Sequence, residues 1–292
     1  MLLIEAFGLL LLGFSASLIG AMLGIGGGLI IIPVLTVFFG VPIHEAIGAS
    51  LVAVITTSTV TGSTEVRAEL TNIRLAMLLE IATTSGAILG AVISLMLGLK
   101  VLAAVMFVVL VVSAFRMMRP DPGSVIHPSG THASREDGEH DREDSLAHRL
   151  RLSSSYYDEA LGRQVAYSVT KTPFGLALSV FAGAVSGLLG IGGGVIKVPA
   201  MSGVMRVPIK VASATSNLMI GVTACASASV FYMHGSIDIL LTSMLMLGVV
   251  PGSALGMVFT GKAPRKVLRQ LFTVILLAAA VLMLLRAFGV VG

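Results

Sequence analysis

The sequence is poor in charge and in cysteine. Asp, Glu, Lys and Arg make up 12% of its 292 residues, about half the ~25% of a soluble domain, which excludes an ordinary water-soluble globule. One cysteine, Cys225, excludes a disulfide framework and a cysteine-ligated metal site. Set among small residues in "TACASAS", it reads as a packed thiol. No two histidines have metal-ligand spacing on a helix. Four lie in one hydrophilic stretch, and His44 and His234 flank loops as interfacial residues. Neither metal nor cofactor is expected. No Lys or Arg precedes the first apolar run, "MLLIEAFGLLLLGFSASLIG". That argues against a cleaved signal peptide and for a retained first helix. The short alternating segments of a membrane barrel are missing too. The net charge of +4 is no nucleic-acid signature, because basic residues gather at the ends of apolar runs.

Hydrophobic residues make up 55% of the chain. Apolar segments fall at about 6–39, 44–62, 73–97, 101–116, 172–205, 211–232, 239–260 and 267–288, and most are long enough to cross a bilayer as helices. Residues 119–171 differ. They hold nine of the fifteen acids around "HPSGTHASREDGEHDREDS", too polar to offset their own ordering entropy. The expected organisation is a first transmembrane repeat (1–118), a hydrophilic, solvated cytoplasmic linker (119–171) and a second repeat (172–292). Within the linker, "SLAHRLRL" (145–152) can form a short amphipathic turn on the membrane surface.

The two halves repeat without a gap. "MLGIGGGLIIIP" begins at Met22 and "LLGIGGGVIKVP" at Leu188, 166 positions later. At the same offset Pro33 matches Pro199, Ser50 matches Ser216, Thr57 matches Thr223, and Gly86 and Gly90 match Gly252 and Gly256. Basic residues, in contrast, alternate between the halves. Arg206 and Lys210 have no counterpart near residue 40, Arg67 and Arg74 have none in "MHGSID", and Lys100 faces Lys262, Arg265, Lys266 and Arg269. Such switching is expected of repeats with opposite orientation in the membrane. The expected fold is an all-α polytopic integral membrane protein: two inverted repeats, each a glycine-broken helix pair plus three transmembrane helices. Each short arm, 28–39 and 194–205, has twelve residues and at ~1.5 Å per residue is too short to cross the lipid. It is expected to re-enter. An eight-helix parallel arrangement is the alternative.

G-I-G-G-G breaks a helix, since each glycine costs ~1 kcal/mol against alanine. Backbone freed at membrane depth must face protein or a water-lined cavity. The amides opening the following arm, at the positive end of its dipole, favour an anion. The expected binding residues are Gly24, Gly26, Gly27, Gly28, Gly190, Gly192, Gly193 and Gly194. Pro33 and Pro199 release the carbonyls of Leu29 and Val195. Close helix packing is the competing role for such glycines. A dinucleotide fingerprint fails, because Leu29 and Val195 stand where its last glycine belongs. Lys197, three residues past the second cluster, is a candidate anion ligand, with snorkelling as its alternative. Ser50, Ser216 and Asn217 lie on the polar second helix of each repeat. Asn217 corresponds to Leu51, so an asymmetric site is expected. Glu80 is read near the cytoplasmic interface beside Arg74, with proton coupling as its second reading.

These duplicated signatures, "GAMLGIGGGLIIIPVL" and "GLLGIGGGVIKVPAM", resemble the sulfite exporter TauE/SafE family across nearly the whole chain outside 119–171. The resemblance implies a multi-pass plasma-membrane permease for small anions, sulfite and organosulfonates above all. It points to Gly24–Gly28 with Pro33 and Gly190–Gly194 with Pro199. The expected function is secondary transport, by export, through alternating access. A coupling proton or sodium ion and homo-oligomerisation stay open, as do a passive anion channel and transport of another small metabolite. An enzyme would need a nucleophile with its base, or paired acids, at depth, and Glu80 has no evident partner for that.

Overall fold

A computed structural model describes residues 3–24, 26–118, 144–158, 162–260 and 265–288. The first half forms α1 (Leu3–Leu23), the short α2 (Gly28–Phe38), α3 (Ile43–Arg67), α4 (Ile73–Met96) and α5 (Leu99–Met118). Then come α6 (Ser145–Arg149) and a hairpin of β1 (Ser154–Asp158) and β2 (Arg163–Tyr167). The second half forms α7 (Thr172–Leu189), α8 (Gly194–Pro199) running into a π-helical turn (Ala200–Val204), α9 (Ile209–Met233), α10 (Ile239–Phe259) and α11 (Arg265–Ala287). Seven of these helices, α1, α3, α4, α5, α7, α9 and α10, are long and apolar enough to cross a membrane. The protein is a polytopic all-α membrane protein.

The 166-residue offset carries over into the elements. α3 and α9 begin and end at corresponding residues, and α2 corresponds to α8 with its π turn. The N-caps also correspond. Asn72 accepts from Leu75 N–H at 3.0 Å, and Asp238 from the N–H groups of Leu240 and Leu241 at 2.8 and 3.0 Å. The short arms differ in one respect: α2 runs regularly past Pro33, whereas the helix after Pro199 widens into the π turn. Proline donates no amide to the ladder, and a π turn is one way to absorb the loss.

The halves exchange partners. α1 packs on α10 and α4 on α7, while α3 crosses α9 and α5 meets α11. Small residues permit the close crossings. A methyl on Gly86 or Gly90 would strike the carbonyls of Val180 and Ala184, and one on Gly183 or Gly187 those of Thr83 and Ala87. Close backbone approach replaces the hydrophobic drive that is absent between helices in lipid. α3 and α9 are the most buried spans, so their crossing is the centre of the protein. Apolar side chains such as Phe7, Met77, Ile81, Phe115, Phe181 and Val274 face outward, as a lipid-facing surface requires.

The expectation of a linker solvated throughout fails for its second half. α6 and the hairpin bury Ala147, Leu152 and Val169 in one apolar cluster with Leu75, Leu79, Met201 and Met205. Polar bonds complete the cap. Asn72 Nδ2 donates to Leu152 O at 2.7 Å and to Tyr167 OH at 2.8 Å, Thr170 N–H to Met205 O at 3.2 Å, and Thr172 N–H to Asp144 Oδ2 at 2.7 Å. Burial raises the Tyr167 pKa above its ordinary value, with the bonds to Asn72 and Ser154 pulling the other way. Composition averaged over 119–171 hides these few apolar residues among the acids. Most of those acids fall at 119–143, outside the described residues, as do Lys262 and the side chains of Arg265, Lys266 and Arg269.

Candidate functional site

Both glycine tracts break their helices. Gly27 and Gly193, immediately before α2 and α8, have φ of 74° and 73°, the left-handed region open mainly to glycine. The first helical bonds after them run from Ile30 N–H to Gly27 O (3.1 Å) and from Ile196 N–H to Gly193 O (3.1 Å). The amides of Gly28 and Leu29, and of Gly194 and Val195, precede the hydrogen-bonded ladder.

The two apices meet at the α3–α9 crossing. A Cβ on Gly28 would lie 3.0 Å from Gly190 O, and one on Gly194 would lie 3.3 Å from Gly24 O. Gly26 and Gly192 both sit against Val54 and Ile220, which correspond between the repeats. The sequence placed Gly24, Gly26 and Gly28 over a hundred residues from Gly190, Gly192 and Gly194, and the fold brings these six together, whereas Gly27 and Gly193 face the preceding helix of their own repeat, at Ala16 and at Ala182 and Ser186.

The flanking hydroxyls are not equivalent. Ser50 Oγ donates to Gly190 O at 3.0 Å and fastens the opposite apex. Ser216 Oγ is fully buried and has no partner among the described residues, although a Cβ on Gly194 would stand 3.6 Å away. An orphaned buried hydroxyl is costly, and here it borders the meeting point of the apices. Asn217 borders it from the other side, its amide 3.3–3.4 Å from the position of a Gly24 Cβ. Its Nδ2 donates to both carboxylate oxygens of Glu65, each at 2.9 Å, and its backbone carbonyl accepts from Ser58.

Lys197 lies one helical turn past the second apex, its N–H bonded to Gly193 O at 3.0 Å. Its side chain is 1% exposed, so it does not snorkel. The ammonium donates to Thr223 Oγ1 at 2.6 Å and stands 4.0 Å from Glu80 Oε2. Glu80 Oε1 accepts from Thr223 and Thr84 at 2.7 and 2.9 Å, while Oε2 has no hydrogen-bond donor among the described residues.

Three side chains depart from expectation. Glu80 faces Lys197 in the interior, and Arg74 instead donates to Arg151 O at 3.2 Å. The face of α4 that carries Glu80 packs toward α9, which hydropathy along α4 does not reveal. Cys225 is exposed rather than packed, because α9 turns that face outward next to Ser229 and Tyr232. Glu65 escaped the sequence reading altogether. It lies past the apolar run of α3, and only the matching length of α9 signals that the helix continues to reach it.

An internally repeated all-α membrane protein with paired, broken, amide-rich helices has a known counterpart. The sulfite exporter TauE/SafE profile matches residues 9–283. The chain belongs to this family. The TauE/SafE match takes in both apices and both charged partners of Lys197 and Asn217. Among curated relatives, "Probable membrane transporter protein YunE" of Bacillus subtilis (strain 168) is 24% identical over 276 residues, covering 92% of this chain and 93% of the relative. "Probable membrane transporter protein MamO" of Paramagnetospirillum magneticum is 27% identical over 298 residues, covering 96% of this chain and 44% of the relative. A further "Probable membrane transporter protein", of Xylella fastidiosa, is 28% identical over 115 residues, or 39% of this chain. No solved structure matches. The protein is a multi-pass membrane transporter of the TauE/SafE family.

Proposed function

We propose that the protein is a plasma-membrane secondary transporter that exports small sulfur-containing anions, such as sulfite or organosulfonates, by alternating access between inverted repeats. One observation carries the reading: two unwound glycine apices meet at the centre of the bundle beside the unpartnered hydroxyl of Ser216. Amides ahead of a helical ladder bind oxyanions through hydrogen bonds and the helix dipole. Glycine keeps that backbone clear of side chains. Gly24, Gly26–Gly28, Gly190 and Gly192–Gly194 form the cradle, with Ser216, Ser50 and Asn217 on its rim. Lys197 supplies the positive field from the adjoining turn.

The exchanged helix partners support the inverted-repeat reading. In that arrangement each repeat supplies one half of the cradle, and rocking one half against the other opens it to alternate sides. The linker lies in the cytoplasm, on the side given by Arg67, Arg74 and Arg206. An inside-negative potential assists export by ~2.3 kcal/mol per negative charge per 100 mV.

The test is reconstitution in liposomes with labelled sulfite and sulfoacetate. Accumulation against a gradient is expected, with competition by other sulfonates and none by neutral analogues. A thermal-shift screen in detergent gives the binding half of the answer. Stabilisation only by uncharged or cationic compounds overturns the anion reading, and flux that never accumulates solute identifies a channel.

A further inference from the structure

The two repeats supply an internal control for each polar group in the core. At the shared offset Lys197 corresponds to Ile31, Glu80 to Met246 and Thr223 to Thr57. Ile31 is 1% exposed and carries no charge. The scaffold therefore closes without charge at Ile31 and Met246 and holds an ion pair at the corresponding Lys197 and Glu80. Burying two charges carries a desolvation cost that an apolar pair avoids. Structure alone does not call for Glu80 and Lys197.

The pair is also incompletely satisfied. The ammonium reaches the carboxylate through the Thr223 hydroxyl, at 2.6 and 2.7 Å, while Glu80 Oε2 stands 4.0 Å from it with no donor among the described residues. That oxygen has room for a proton. The surrounding elements bring little else that titrates. α7 has no ionisable side chain between Thr172 and Leu189, and α8 brings Lys197 alone. α9 has Lys210 near its start and the exposed Cys225 and Tyr232 further along. Glu65 of α3 is engaged with Asn217, and Arg74 of α4 with Arg151.

We propose that the Glu80–Thr223–Lys197 cluster is a proton site coupled to the anion cradle, so that proton and anion bind cooperatively and cross together. This rests on the transport reading above. A proton from water adds to Glu80 Oε2 and gives the neutral acid. Lys197 then has no counter-ion, and its charge serves the anion one turn away at Gly193 and Gly194. On the other side the anion leaves, and the O–H bond of Glu80 breaks to return the proton to water. A dianion accompanied by one proton still carries one net negative charge outward.

The experiment uses the full chain in liposomes with an entrapped pH dye and labelled sulfoacetate, whose two acid groups stay ionised near neutral pH. The wild type is expected to move one proton per anion. Its apparent Kd should rise up to tenfold per pH unit on the alkaline side, as linkage of one proton requires. Glu80→Gln keeps the bonding shape toward Thr223 and Thr84. Its anion binding is expected to lose that pH dependence and its flux the accompanying proton. Wild-type anion flux without protons, or proton flux persisting in Glu80→Gln, overturns the inference and leaves the transport reading standing. No anion binding or flux in the wild type overturns the transport reading itself. The wild-type stoichiometry decides the question even if the variant fails to fold.

Discussion

Replacing both members of the Glu80–Lys197 pair should be less harmful to the fold than replacing either one. At 4.0 Å, an effective dielectric constant of 20 gives an attraction of about 4 kcal/mol. Desolvation of the two groups costs several kcal/mol per ion, so the pair's net contribution to stability is small. Breaking it is different. Lys197→Ile leaves the Glu80 carboxylate buried against an apolar wall, and Glu80→Met leaves the ammonium with only Thr223. Each single change should destabilise by about 3–5 kcal/mol. The double change installs at 197 and 80 the residue types that stand at the corresponding positions, Ile31 and Met246, and should come within about 1 kcal/mol of the wild type or exceed it. Unfolding of the purified protein in mixed micelles, followed by circular dichroism, measures all four corners of the cycle. The double variant should fold and yet fail in proton-linked transport. If the two single losses simply add in the double variant, the charges are not energetically paired, and the ion-pair reasoning is wrong.

Three further outcomes follow from the apices and the cap. Gly28→Ala or Gly194→Ala places a methyl 3.0 or 3.3 Å from a carbonyl of the facing repeat and still closer to Ser50 or Ile220 of its own. Either should abolish anion-dependent thermal stabilisation, whereas Gly203→Ala, which meets nothing within 4 Å, should leave it unchanged. Ser50→Ala strands the Gly190 carbonyl and should cost about 1–3 kcal/mol of stability. Ser216→Ala removes an unpartnered hydroxyl, so it should leave stability equal or higher while weakening anion binding several-fold in the same thermal-shift titration. Asn72→Ala removes the donors to Leu152 and Tyr167 together with the α4 cap. A loss of about 1–2 kcal/mol should speed limited proteolysis of residues 144–171 by roughly 5–30-fold, and unchanged cleavage would show that the apolar cluster alone holds the hairpin.

The fold was legible where the repeats agree. Gly24–Gly28 and Gly190–Gly194 announce themselves by identity, and because glycine acts through backbone conformation, identity suffices to place both breaks. Hydropathy also finds the spans, since lipid demands long apolar runs. It does not say which face of a span looks inward, because the core and the lipid are both apolar. Glu80 and Cys225 were misplaced for that reason. The hairpin was lost for a related one. A few apolar residues, Ala147, Leu152 and Val169, decide its docking within a stretch that is polar on average.

The informative positions for chemistry are those where the repeats disagree. Lys197 against Ile31 and Asn217 against Leu51 were visible as mismatches, but their partners Glu80 and Glu65 were not. Each partner comes from the other half of the chain, so no local spacing connects them. At the places that match the two acids the second repeat has Met246 facing toward Thr56 and the fully buried Phe231. Both acids therefore come from the first repeat and both of their partners from the second. If the repeats rock as units, every opening stroke must strain or break Glu80–Lys197 and Glu65–Asn217 together, while the apolar counterparts slide without such a penalty. On the proposed reading, a cradle of identical glycines would then be gated by contacts on one side only. The two access states should then differ in energy, and by less in the Lys197→Ile, Glu80→Met double variant than in the wild type. Distances between spin labels on α1 and α7, measured with and without anion, would show this as a narrower population shift in the double variant. An unchanged shift would place the gate elsewhere than in these pairs.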